Sequence, residues 1–186
     1  HYPLRRQRQM CIRDRLLSAL WGASFLFIRI ASPVLGPNVM AALRIGLATL
    51  TLIGIMRWAG EPWPWRHWRE LLGLGALTVA APFLLYAWAA LHLPAGYSSL
   101  LNTMAVPFGV IAAAWMKEDT LSTRKWAGCL CGFAGVALIV QLGPVAPTSA
   151  VLLAAGACVT AAACYGLSLT WICLLYTSPS PRDVEE

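Results

Sequence analysis

The chain has 186 residues, of which 59% are hydrophobic and only 12% charged, and its mean hydropathy is +0.64. Soluble domains carry roughly twice that charged fraction, so the composition points to a bilayer as solvent. The net charge of +6 does not indicate nucleic acid, because the basic residues sit between long apolar runs and form no continuous patch. Six cysteines scattered through apolar segments likewise exclude a disulfide-stapled secreted scaffold.

In chain order, the first and last segments do not read as native protein. Met10-Cys11-Ile12-Arg13-Asp14-Arg15 can be encoded ATG TGT ATA AGA GAC AGA. The reverse complement, read one frame over, contains TGT CTC TTA TAC ACA, which encodes Cys173-Leu174-Leu175-Tyr176-Thr177. Unrelated protein ends have no physical reason to be related in this way. Both ends, over Arg5–Arg15 and Cys173–Asp183, resemble translated transposase-type sequencing adapters, so residues 1–15 and 173–186 are expected to be non-native. The alternative is a basic lipid-binding arm and a Ser/Pro-rich tail. The native part, about Leu16 to Ile172, is expected to be truncated at its C-terminal side.

A bilayer core of about 30 Å needs roughly 20 apolar helical residues at 1.5 Å per residue. Runs near that length are Leu16–Leu35, Val39–Met56, Leu71–His92, Tyr97–Met116 and Trp126–Leu142, followed by a sixth at about Val151–Ile172. The expected fold class is therefore an all-α integral membrane protein with about six transmembrane helices. Short Gly/Pro/Asn connections such as Gly36-Pro37-Asn38 and Leu93-Pro94-Ala95-Gly96 fit helix–helix turns. Among the connections only alternate ones carry Lys or Arg: Arg57, Arg66 and Arg69 follow the second run, and Lys117, Arg124 and Lys125 follow the fourth. By the positive-inside rule, loops 57–70 and 117–125 are expected to be cytoplasmic, in a plasma (inner) membrane. Trp58, Trp63, Trp65, Trp68, Trp115 and Trp126 around these loops suit the headgroup level.

An internal repeat follows. Ala19-Leu20-Trp21-Gly22-Ala23-Ser24 near the start is echoed by Ala163-Cys164-Tyr165-Gly166-Leu167-Ser168 in the sixth run. The two copies lie five spans apart, an odd number, which would invert the second relative to the first, the arrangement that places transporter substrate sites near the midplane.

Several stretches together resemble the EamA family of the drug/metabolite transporter superfamily. They are Trp21-Gly22-Ala23-Ser24-Phe25, Ala41-Ala42-Leu43-Arg44, Ala95-Gly96-Tyr97-Ser98-Ser99-Leu100-Leu101-Asn102 with Pro107, and Lys117-Glu118. Trp126-Ala127-Gly128 and Gly132-Phe133-Ala134-Gly135-Val136 complete the set. The resemblance implies a ten-span permease or exporter of small metabolites or drug-like solutes, built from two inverted units. Residues 16–142 would form one EamA-like unit of five helices, and 143–172 the loop and first helix of a second, truncated one.

Ionisable groups within spans are functional candidates by default. Arg29 and Arg44 lie roughly 8–9 Å below the outer boundary at the helical rise. They either line an outward vestibule that attracts a carboxylate or phosphate, or snorkel to the interface. No Asp or Glu lies within any span, so these helices offer no carboxylate for a proton relay. Substrate-pathway candidates are Arg29, Arg44, Asn102, Tyr86, Trp21, Ser24 and Tyr165. Pro107 frees a backbone carbonyl near residue 103, and Pro82 does the same in the third span. Trp88 is a weaker candidate. Gly128, Gly132 and Gly135 at helical spacing predict close helix packing, within the chain or in a possible homodimer. The expected partners are a small-molecule substrate, the lipid bilayer and the missing second half of the chain, with no nucleic acid. No cofactor, metal site or catalytic set is expected, the cysteines being read as small packing residues. An intramembrane enzyme or a membrane scaffold is the alternative to a transporter.

Overall fold

The computed structural model describes the backbone of residues 2–60, 62–63, 65–116, 122–142, 145–146 and 148–177. Among the described residues there is no strand. The long helices are α1 (Tyr2–Leu35), α2 (Pro37–Ala59), α3 (Trp68–Ala89), α4 (Ala95–Trp115), α5 (Thr123–Leu142) and α6 (Ser149–Thr177). Among the described residues α1 (from Asp14 onward), α2, α3, α4 and α6 (as far as Leu174) are long and apolar enough to cross a bilayer. Lys117 lies outside the described residues.

Turn chemistry sets the helix ends. Gly36, at φ +80°, reverses the chain between α1 and α2, and Pro37 then starts α2 where its missing N–H costs nothing. Gly60 ends α2 in the left-handed region, returning its N–H to the carbonyls of Arg57 and Met56. The extended backbone of Pro94 leads into α4. Trp58, Trp68, Trp115 and Trp126 at these ends are exposed, as side chains at a headgroup boundary should be.

Two spans are not regular. Ala76–Ala80 in α3 is a π-helical turn, closed by the Ala81 N–H on the Ala76 carbonyl, and it ends just before Pro82. α4 is interrupted at Thr103 and Met104, four and three residues before Pro107. Proline offers no N–H to the carbonyl four residues earlier, so each helix rewinds locally. At Thr103 the orphaned carbonyl is taken up by the Val106 N–H at 3.2 Å.

The core lies where α6 crosses α3 and α4. Tyr86, Ala89, Leu93 and Leu101 pack there against Val151, Ala154, Ala155, Cys158 and Ala161 of α6. α4 and α6 come close at Gly109 and Gly166: a Cβ added at Gly166 would stand 2.6 Å from the Gly109 nitrogen. Thr170 seals the same contact by donating to the Gly166 carbonyl at 3.1 Å and the Gly109 carbonyl at 3.3 Å. A small second cluster, Ile28 with Ala87 and Ala90, joins α1 to α3.

The glycine stripe on α5 is in contact within the chain at Gly132. Gly132 packs on Met104 and Pro107 of α4, yet an added Cβ would meet them at an ordinary 3.5 Å. Around Gly128 and Gly135 a Cβ would meet nothing within 4 Å among the described residues. Cys129 and Phe133 of α5 also meet Pro107 and Phe108 of α4, and Val136 packs against the main core. The helix pair that uses glycine for close approach is α4–α6.

Candidate functional site

Two adjoining cavities open where α1, α2, α3, α4 and α6 meet. The first, about 210 Å³, is lined by Trp21, Ser24, Phe25 and Ile28 of α1, Arg44 of α2, Phe83 and Tyr86 of α3, and Tyr165 of α6, with Leu20 at its edge. The second, about 520 Å³, shares Trp21, Phe83 and Tyr165 with the first and continues along Thr78, Val79, Asn102, Thr103, Ala105, Val106 and Leu169. Both helix irregularities therefore border the second cavity: Thr78 and Val79 lie within the π turn, and Thr103 in the α4 interruption. Irregular backbone at membrane depth is tolerated where it is buried in protein or lines a cavity.

An aromatic cluster forms the wall between the two spaces. The Trp21 and Tyr165 ring centroids lie 6.2 Å apart. Tyr86 stacks on Tyr165 at 6.3 Å and receives the edge of Phe25 at 5.2 Å. The Tyr86 hydroxyl donates to Asn102 Oδ1 at 2.8 Å and approaches the Cys158 carbonyl at 3.4 Å, tying α3 to both α4 and α6. Asn102 is the last helical residue before the α4 interruption, so this bond fixes the amide at the point where the helix loses its own order. The proline–asparagine spacing in the sequence signalled this site, whereas the Tyr86 partner needed the folded chain.

Arg44 projects into the first cavity, half-buried, with its guanidinium 4.1 Å from the centre of the Phe83 ring. Arg29 is placed differently. It does not line either cavity; its Nη1 donates to the carbonyl of Ala90, at the C-terminal end of α3. A cation there satisfies a carbonyl left free by the helix end and complements the helix dipole, which accounts for Arg29 without a solute. Trp88 also falls outside the cavities, exposed and edge-on to His92 at 5.3 Å. Trp21, Ser24, Arg44, Tyr86, Asn102 and Tyr165 are brought together, although they come from five different helices. Phe83 and Thr78 belong to the same walls and carried no sequence signal beyond their neighbour Pro82. Among the described residues no group of His, Cys, Asp and Glu is arranged to hold a metal.

Residues 15–141 match the EamA-like transporter family. An uncharacterized transporter from Archaeoglobus fulgidus is 33% identical over 140 residues, covering 69% of this chain and 44% of its own length. Protein PecM from Dickeya dadantii is 26% identical over 151 residues, 81% of this chain and 49% of PecM. A probable terminal-alkyne amino-acid exporter from Streptantibioticus cattleyicolor is 29% identical over 124 residues, 66% and 42% of the two chains. The chain thus spans about half the length of the curated relatives it matches. No solved structure matches it.

Proposed function

Because this chain belongs to the EamA-like transporter family, we propose that it is half of a ten-helix permease or exporter that moves small solutes by alternating access. Residues 16–142 supply one five-helix unit, residues 143–172 open the second, and residues 1–15 and 173–186 are adapter-derived. The family match beginning at residue 15 supports that first boundary. The two Lys/Arg-bearing loops face the cytoplasm of the plasma membrane, and the solute site is the pair of cavities around Trp21 and Tyr165.

A single observation carries this reading. Trp21 and Tyr165 occupy equivalent positions in the sequence repeat, and their rings meet at 6.2 Å across the cavity wall. Residues related by a two-fold axis can touch their own counterparts only beside that axis. Their contact therefore supports a pseudo-two-fold running through the cavities, where inverted-repeat carriers hold their substrates. The substrate named for the Streptantibioticus relative is not carried over.

The test is solute flux. The parent gene, cloned beyond residue 172 without its adapter-like ends, should encode further spans with a mirrored loop-charge pattern. Its product in proteoliposomes should exchange internal for external labelled solute. A tight, folded preparation showing no flux across a broad panel of metabolites and drug-like solutes would remove the transporter assignment.

A further inference from the structure

The first cavity is apolar except for a few hydroxyls and one permanent charge. The Arg44 guanidinium carbon lies 4.1 Å from the centre of the Phe83 ring, a cation–π contact that takes up none of the guanidinium's N–H donors as hydrogen bonds. The Tyr86 hydroxyl has already committed its proton to Asn102. No acidic residue lines the cavity, and the sequence holds no Asp or Glu between Arg15 and Gly60 or between Leu71 and Met116. An arginine at this depth without a carboxylate partner is costly to keep, and Arg29 shows how the same chain satisfies the other one, with a backbone carbonyl. Arg44 has no such bond among the described residues.

We propose that the cavity selects amphipathic monoanions: solutes with one carboxylate, taken by the in-plane fork of Arg44, and an apolar body seated against Trp21, Phe25 and Phe83. The fork matches a carboxylate's two oxygens, which a lysine ammonium would not. The larger adjoining cavity, sharing Trp21, Phe83 and Tyr165, gives the apolar body room to extend. A zwitterion fits poorly, since its ammonium would be desolvated with no carboxylate to receive it. A cation meets the same obstacle and the repulsion of Arg44 as well. This selection rests on the cavities being the solute site of the proposed transporter.

Equilibrium dialysis on the purified chain in nonionic detergent, corrected for empty micelles, tests it with probes of nearly constant body. These are 3-phenylpropionate (anion), phenylalanine (zwitterion) and phenethylamine (cation). The anion should bind at least about tenfold more tightly than the other two. Arg44→Gln should erase that preference, Arg44→Lys should retain part of it, and Arg29→Gln should leave it unchanged. Equal binding of all three probes, no binding by helical, monodisperse protein, or a preference that survives in Arg44→Gln would each overturn the proposal. Selective binding in a protein without flux would sink the transporter reading alone, whereas flux without anion preference would sink only this one.

Discussion

α2 and α6 are about equally apolar, yet 6% of the α2 span is buried inside the protein against 39% of the α6 span. Their sequences differ in size, not in oiliness. α2 carries Leu47, Leu50, Leu52 and Ile55 on exposed positions, while α6 turns Ala154, Ala155, Cys158, Ala161, Ala162 and Gly166 inward. In lipid no hydrophobic force sorts one apolar side chain from another, because the tails are as apolar as leucine. Small residues win the interior because they let backbones approach and gain contact. α6 is thus the keystone of this assembly even though it lies beyond residues 15–141, the stretch that matches the family.

Breaking that keystone should give the largest effect. Gly166→Leu would drive a side chain into the Gly109 backbone and is expected to cost about 3 kcal/mol, or to prevent folding. Gly54→Leu on α2, with nothing within 4 Å, should stay within about 0.5 kcal/mol. SDS-titrated unfolding monitored by circular dichroism compares the pair, and equal losses would erase the distinction between the two helices.

A second pair sharpens it by truncation. Leu101, 1% exposed against α6, should lose about 2–4 kcal/mol on change to Ala. Leu50, 67% exposed on α2, should lose less than about 1 kcal/mol in the same titration, since lipid replaces the contact. A loss smaller than those at Gly166 and Leu101 is expected at the polar tie beneath the cavity. Tyr86→Phe removes the bond to Asn102 and should cost about 0.6–1 kcal/mol, because membrane hydrogen bonds are modest. A double-mutant cycle with Asn102→Leu should recover nearly that amount as coupling, and additive losses would show that the two groups do not act together.

Much of this was legible in one dimension. Span positions followed from apolar run length, and the irregular turns in α3 and α4 followed from Pro82 and Pro107 removing one N–H each. Arg44, Tyr86 and Asn102 stood out because polar groups at depth are expensive. Other features were illegible for a specific reason. Gly128, Gly132 and Gly135 have the spacing of a packing face, but spacing fixes only which residues share a face, not what lies opposite. Arg29 and Arg44 look alike in sequence and occupy similar depths, yet one meets a helix end and the other a cavity.

Run length, charge placement and proline position by themselves determined that this chain crosses a membrane, roughly where it does so, and where two helices lose their regularity. Those are local properties, set by the thickness of hydrocarbon and by bonds between residues four apart. Only the tertiary structure decided that α6 stands at the centre, that Gly109 meets Gly166, and that Arg44 rather than Arg29 faces the cavity. Such contacts join residues far apart in the chain, and their outcome depends on which small side chains let two backbones come together.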